Sequence, residues 1–130
     1  MPQFALTHPA PVDLVALNEV TGGDAEFAAD LIESYISSSH DVMTKLRDFA
    51  HSDRHQLARA VHQLAGASAN IYAEPLRELC SDLGRAAETA TAAQLEQHIE
   101  RVAAELARVT DVLANIVGNR AGVRAHAPGR

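Results

Sequence analysis

Aromatic side chains are scarce in this chain: 130 residues hold no tryptophan, two tyrosines and three phenylalanines. Strand-rich folds draw on aromatic and β-branched residues, so this composition argues against a sheet. There is one cysteine, Cys80, which excludes an internal disulfide and fits a reducing compartment. Basic charge is also short. Lys and Arg number 11 against 17 Asp and Glu, a net charge of −6. A nucleic-acid footprint needs clustered Lys and Arg, so no nucleic-acid partner is expected. No apolar run approaches the roughly 20 residues that span a bilayer, so no membrane partner is expected either. The opening "MPQFALTHPAPVD" lacks a basic start and a continuous apolar segment, so no signal peptide is read there.

What is present is helical material. Hydrophobic residues make up 47%, mostly Ala, Leu and Val, which suits helix-on-helix packing. The length allows one domain with a sizeable core. Residues 1–11 hold three prolines and no period and are expected to form an extended arm. A short helix follows from about Asp13 to Val20. Gly22 and Gly23 break the chain, and Asp24 can cap the next helix. That long helix runs to about His51, with Phe27, Leu31, Tyr35, Val42, Leu46 and Phe49 as its apolar stripe. The run "SSSH" (37–40) is a weak spot in it, because serines compete for backbone hydrogen bonds.

Asp53 with Gln56 resembles a capping box at the start of a third helix, from about Arg54 to Ile71. Leu57, Val61, Leu64, Ser68 and Ile71 form its inward face, where Ser68 is expected to bond a backbone carbonyl. Pro75 suits the first turn of a fourth helix carrying Leu76, Leu79, Cys80 and Leu83. Thr91 with Gln94 is a second capping box. In the last helix Leu95, Ile99, Val102, Leu106, Val109, Leu113 and Ile116 alternate steps of four and three. Such a seam serves a coiled-coil dimer or the chain's own bundle, and the presence of partner helices favours the bundle. Gly118 is expected to stop it. The expected fold is all-α: an antiparallel up-down-up-down four-helix bundle over residues 12–117, with the short first helix covering one end and a disordered tail at 118–130. A monomer is expected.

The stretch "VHQLAGASAN" (61–70) carries the candidate chemistry. On a helical wheel His62 lies about 140° from the core direction set by Leu57, and Gly66 about 180° from it. The histidine therefore faces solvent. Its collar is stripped: Ala58, Ala65, Gly66 and Ala69 are small, and Arg59 is the one long neighbour one turn away. A mid-helix glycine costs about 1 kcal/mol relative to alanine. Spacing alone leaves two readings open, an incidental surface histidine and a neutral imidazole cleared for use as a nucleophile. His51 and His55 have the spacing of a metal pair, but no third ligand is evident and no metal site is expected. His8, His40, His98 and His126 read as surface or tail residues.

The segment "VHQLAGASANIYAEPLRELCSDL" resembles the histidine-containing phosphotransfer (HPt) domain, whose signature is approximately H-x-L-K-G-x-S-x-x-x-G-A-x-x-L-x-x-x-C-x-x-L-E. His62, Leu64, Gly66, Ser68, Ala73, Leu76, Cys80 and Leu83 match. "VDLVALNEVTGGDAEFAADLIESYI" is similar to the family's short first helix, glycine-rich turn and long second helix. The resemblance covers roughly residues 12 to 117. It departs from the pattern at three places: the family's lysine is Ala65, its later glycine is Tyr72, and the acidic or amide residue after the last leucine is Gly84.

The resemblance implies a function. His62 would be the phosphoacceptor, relaying a phosphoryl group between receiver-domain aspartates through phosphohistidine. Arg59, Gln63, Ala65 and Gly66 would surround the phosphoryl group and imidazole, with Arg77 or Arg85 as further sources of charge. His55, Ala58, Ala69 and Tyr72 would form the rim that docks the receiver. Partners would be the receiver domain of a response regulator, a hybrid sensor histidine kinase, or both. The chain itself would bind no cofactor, and Mg²⁺ would sit on the partner receiver. Such a protein is a phosphorelay intermediate rather than a conventional turnover enzyme, and is expected in the cytoplasm of a bacterium. With Met1 at its start and no kinase or receiver segment, a standalone shuttle is expected; an excised domain of a hybrid kinase would look much the same. Ala65 and Gly84 motivate the alternative, an interaction module that keeps the fold and binds a receiver or kinase without efficient transfer.

Overall fold

The computed structural model describes residues 9–126, with side chains as far as residue 118. Five helices follow in order: α1 (Leu14–Val20), α2 (Ala25–Ala50), α3 (Arg54–Asn70), α4 (Glu74–Ala86) and α5 (Ala92–His126). No strand occurs among the described residues. Four of the five helices begin where short polar side chains satisfy their first N–H groups, α4 with Ala73 at its N-cap being the exception. The Asp13 carboxylate accepts from the Ala16 amide at 3.1 Å, and that of Asp24 from Glu26 and Phe27 at 3.0 Å each. Asp53 accepts from the Gln56 amide at 3.1 Å. Gln56 returns no bond to Asp53, so this cap is one half of a capping box. Thr91 and Gln94 complete theirs: the Gln94 amide donates to Thr91 Oγ1 at 3.1 Å and the Thr91 amide to Gln94 Oε1 at 3.0 Å.

The breaks also have local causes. Gly22 and Gly23 take left-handed φ values of 64° and 75°, which glycine adopts without a Cβ clash. Between α3 and α4 the left-handed residue is Tyr72, at φ 63°. Its carbonyl accepts from the Asp13 amide at 2.9 Å and so ties the entry of α1 to this turn. Pro75 stands in the first turn of α4, where its missing N–H costs nothing.

Helix α3 packs between α2 and α4, and α5 packs against α4 and α2. The shared core is built from the positions that periodicity marks. Leu57, Val61, Leu64, Ser68 and Ile71 are all buried, as are Leu76, Cys80 and Leu83 of α4. From α5 come Leu95, Ile99, Val102, Leu106, Val109 and Leu113, while Ile116 is half-buried. Val12 and Leu17 bring α1 onto the same core. Arg54 fixes the start of α3 by donating to the Ala87 and Ala90 carbonyls, at 2.9 and 3.0 Å, at the end of α4.

Three expectations need correction. Phe27 is not core: it is 51% exposed, and Ala28 and Ile32 are buried instead. On the α2 wheel Phe27 lies about 100° from the centre of the buried stripe. The "SSSH" run leaves α2 unbroken, with the Ser38 and Ser39 hydroxyls donating to the Tyr35 and Ile36 carbonyls of their own helix. Ser68 bonds no carbonyl; it shares a 3.0 Å hydrogen bond with the Tyr35 hydroxyl across the buried α2–α3 contact. Gly118 does not stop α5, which stays helical to His126. A glycine ends a helix by adopting left-handed φ, and Gly118 does not do so. The boundary expected at 117 therefore lies inside a helix, and residues 127–130 of the expected tail lie outside the described residues. Residues 1–8 of the expected arm also lie outside them.

Candidate functional site

Helix α3 presents His62 to solvent. The inward residues that fix this orientation are Leu57, Val61 and Leu64, none more than 2% exposed. Beneath them the Tyr35–Ser68 bond pins α3 to α2. Burial pushes the Tyr35 hydroxyl up to about 12, against a smaller lowering by the Ser68 bond, so it stays protonated and can hold that contact. No side chain among the described residues hydrogen-bonds the His62 imidazole.

The histidine stands between two concavities. The larger, about 700 Å³, spans the α2 side. Arg59, His62 and Gln63 line it together with Lys45 and Phe49 of α2 and with Glu88. His55 and Ala58 belong to the same surface. The smaller cleft, about 360 Å³, lies between α3 and α4. Ala58, Val61, His62 and Ala65 face Gly84 and Arg85 across it. Two of the three positions that depart from the HPt pattern, 65 and 84, thus open one gap beside the histidine. A Cβ at Gly84 would meet Val61 Cγ1 at 3.7 Å, ordinary contact, so the fold does not demand glycine there.

Gly66 is more informative. A Cβ built at this position would meet nothing within 4 Å. The glycine is not needed for helix packing, and the imidazole does not crowd it either. It leaves open space on the exposed face one turn from His62.

The structure brings most of the expected residues together and leaves out three. His55, Ala58, Arg59, His62, Gln63 and Ala65 line the two concavities. Gly66 and Ala69 are exposed on α3 but line neither. Tyr72 lines a different groove, with Val12, Leu14 and Val15 of the α1 entry. Arg77 is taken up by Glu74, whose carboxyl is held low first by that hydrogen bond. Arg85 reaches the cleft but is paired with Asp82. Cys80 is buried, and burial pushes its thiol up to about 12, so it is packing rather than a nucleophile. His51 caps the end of α2 and sits 3.8 Å from Glu96; no cluster of metal-binding side chains occurs among the described residues. His40 is exposed and His98 half-buried; the side chains of His8 and His126 lie outside the described residues. Sequence spacing missed Lys45, Phe49 and Glu88, which reach the site from other helices or turns at no fixed interval.

No curated protein and no solved structure matches the chain. No helix among the described residues is long and apolar enough to cross a membrane. A family model for the Hpt domain matches residues 30–114, well over half the chain, and the matched span contains α3, α4 and most of α2 and α5. Hpt domains carry phosphotransfer in phosphorelay signalling and interact with receiver domains. The chain belongs to the Hpt domain family.

Proposed function

We propose that this protein relays a phosphoryl group between receiver-domain aspartates through phosphohistidine at His62. Its α2–α5 would form the antiparallel up-down-up-down bundle of such a carrier, with α1 covering one end, and it would act as a cytoplasmic monomer. The observation that carries the reading is the exposed His62 on a rigid helix, flanked by space that the fold itself does not require.

The step balances on the residues available. A neutral ring nitrogen of His62 directs its lone pair at the phosphorus of a partner's phospho-aspartate. A P–N bond forms as the acyl P–O bond breaks, and the electron pair leaves with the restored aspartate carboxylate. The reverse sequence delivers the phosphoryl group to a second receiver. Mg²⁺ and most of the charge stabilisation belong to the receiver. This chain contributes an exposed nucleophile held at fixed orientation and a surface open enough for two domains to approach.

One arrangement favours a second reading. Ala65 and Gly84 leave the imidazole without an orienting hydrogen bond, which suits an interaction module that binds a receiver or kinase with little transfer. A single experiment separates them. The protein is mixed with a ³²P-labelled phospho-receiver, and acid-labile, alkali-stable label is measured in wild type and His62→Gln. Label in wild type and none in the variant supports the relay. A complex that forms without label supports the module, and label that survives the substitution refutes the role of His62.

A further inference from the structure

The relay reading leaves a charge unaccounted for. A phosphoryl group carries about −1.5 to −2 charges at neutral pH, and three strong acceptor oxygens. On α3 the position three residues after the histidine is Ala65, which can neutralise none of it. The cations of the described residues can be sorted by what already holds them. Arg47, Arg77, Arg85 and Arg108 pair with Glu100, Glu74, Asp82 and Glu105. Arg54 is spent on the Ala87 and Ala90 carbonyls. Lys45, Arg59 and Arg101 have no acidic partner among the described residues. Two of these three, Lys45 and Arg59, line the concavity that His62 also lines. Arg101 lies on α5 and lines no cavity with the histidine.

We infer that Lys45 of α2 and Arg59 of α3 together form the phosphoryl-binding site of phosphorylated His62. The inference rests on the relay reading and adds the residues that receive the charge. Both side chains are exposed, long and unengaged, so either can swing toward the imidazole without breaking an existing ion pair. Arg85, on the opposite cleft, would first have to leave Asp82. Glu88 also lines the larger concavity. Against its one negative charge, Lys45 and Arg59 give the concavity two positive ones, which favours an anion there. Lys45 supplies a point charge and Arg59 a planar fork that can meet two phosphoryl oxygens at once.

A small donor tests this without any receiver. Phosphoramidate transfers its phosphoryl group to histidine: the P–N bond to His62 forms, the donor's P–N bond breaks, and ammonia leaves. Labelling rate and phosphohistidine lifetime are followed by ³¹P NMR in wild type, Lys45→Gln, Arg59→Gln, the double variant, Arg85→Gln and Arg101→Gln. The double variant should label about fivefold more slowly or lose its phosphoryl group about fivefold faster. Lys45→Arg should restore the wild-type rate, which a merely structural role would not predict. The difference between wild type and double variant should shrink as salt rises from low ionic strength to 1 M. Arg101→Gln should behave as wild type. If wild type labels at His62 but the double variant is indistinguishable from it, or if Arg85→Gln alone gives the loss, the inference is overturned while the relay stands. If wild type gives no His62 label from either donor, the relay itself fails.

Discussion

Gly66 offers a test in which stability and function should move in opposite directions. A Cβ at this position meets nothing within 4 Å, and the residue has no left-handed φ. Gly66→Ala should therefore gain the ordinary helix-interior difference, about 1 kcal/mol. For a chain of this size that corresponds to about 3–5 °C in Tm. Thermal and urea unfolding followed by circular dichroism would read the gain. Phosphotransfer should move the other way if the space exists for a partner. Transfer from a phospho-receiver should fall with side-chain length: modestly in Gly66→Ala, and roughly tenfold or more in Gly66→Gln, since small displacements of reacting groups are costly. Labelling by phosphoramidate, which needs little room, should fall far less. Two results would refute the reasoning. A loss of stability in Gly66→Ala would mean the space is not free in the folded chain. Unchanged receiver transfer in Gly66→Gln would mean the clearance serves no partner, and the glycine would be an unexploited weakness of α3.

Tyr72 reverses the sign of the glycine effect. It holds φ at 63° without being glycine, where a Cβ is strained. Replacing it removes side-chain packing in either case, so Tyr72→Ala and Tyr72→Gly should be compared with each other. Glycine should be the more stable by about 1 kcal/mol in urea unfolding; equal stabilities would mean the turn relaxes. High pH probes the core through Cys80 and Tyr35. Burial raises Cys80 from 9.0 to about 12 and Tyr35 from 10.0 to about 12. The folded state therefore holds these protons longer than the unfolded one, and stability must fall as pH rises from about 9 toward 12. Unfolding free energy should be level in this respect below pH 9.0 and decline above it. Cys80→Ala should shift the onset of decline toward 10.0, the ordinary value for tyrosine. An onset unchanged by that substitution would show that Cys80 does not titrate with unfolding.

What was legible in the sequence was local. Asp24, Asp53 and Thr91 cap helices through bonds that reach two or three residues along the chain, so a short window contains both partners. The inward face of α3 follows from periodicity alone, and with it the outward aim of His62. Local reading failed where the deciding partner is distant or absent. Phe27 stands four residues before Leu31 in the apolar spacing, but its position on the α2 wheel leaves it exposed. Ser68 was matched to a carbonyl because its true partner, Tyr35, is 33 residues away. Gly118 permits a helix stop, yet permission does not impose a left-handed turn, and α5 runs through it.

The charge around His62 belongs to the same class of problem. A motif fixes a cation to one position on one helix, and by that standard Ala65 is a loss. The phosphoryl group has no such preference. It responds to the distance, mobility and competing partners of whatever cations share its cavity. Helix α2 packs directly against α3, so a lysine there can serve the histidine at an interval in sequence that no signature encodes. Small residues at 65 and 84 and unpaired cations at 45 and 59 are then two sides of one arrangement. The α4 side of the imidazole is cleared, and the positive charge is left on the α2 side. If so, restoring a lysine by Ala65→Lys should add little to wild type, and should recover phosphohistidine lifetime mainly when Lys45 and Arg59 have been removed.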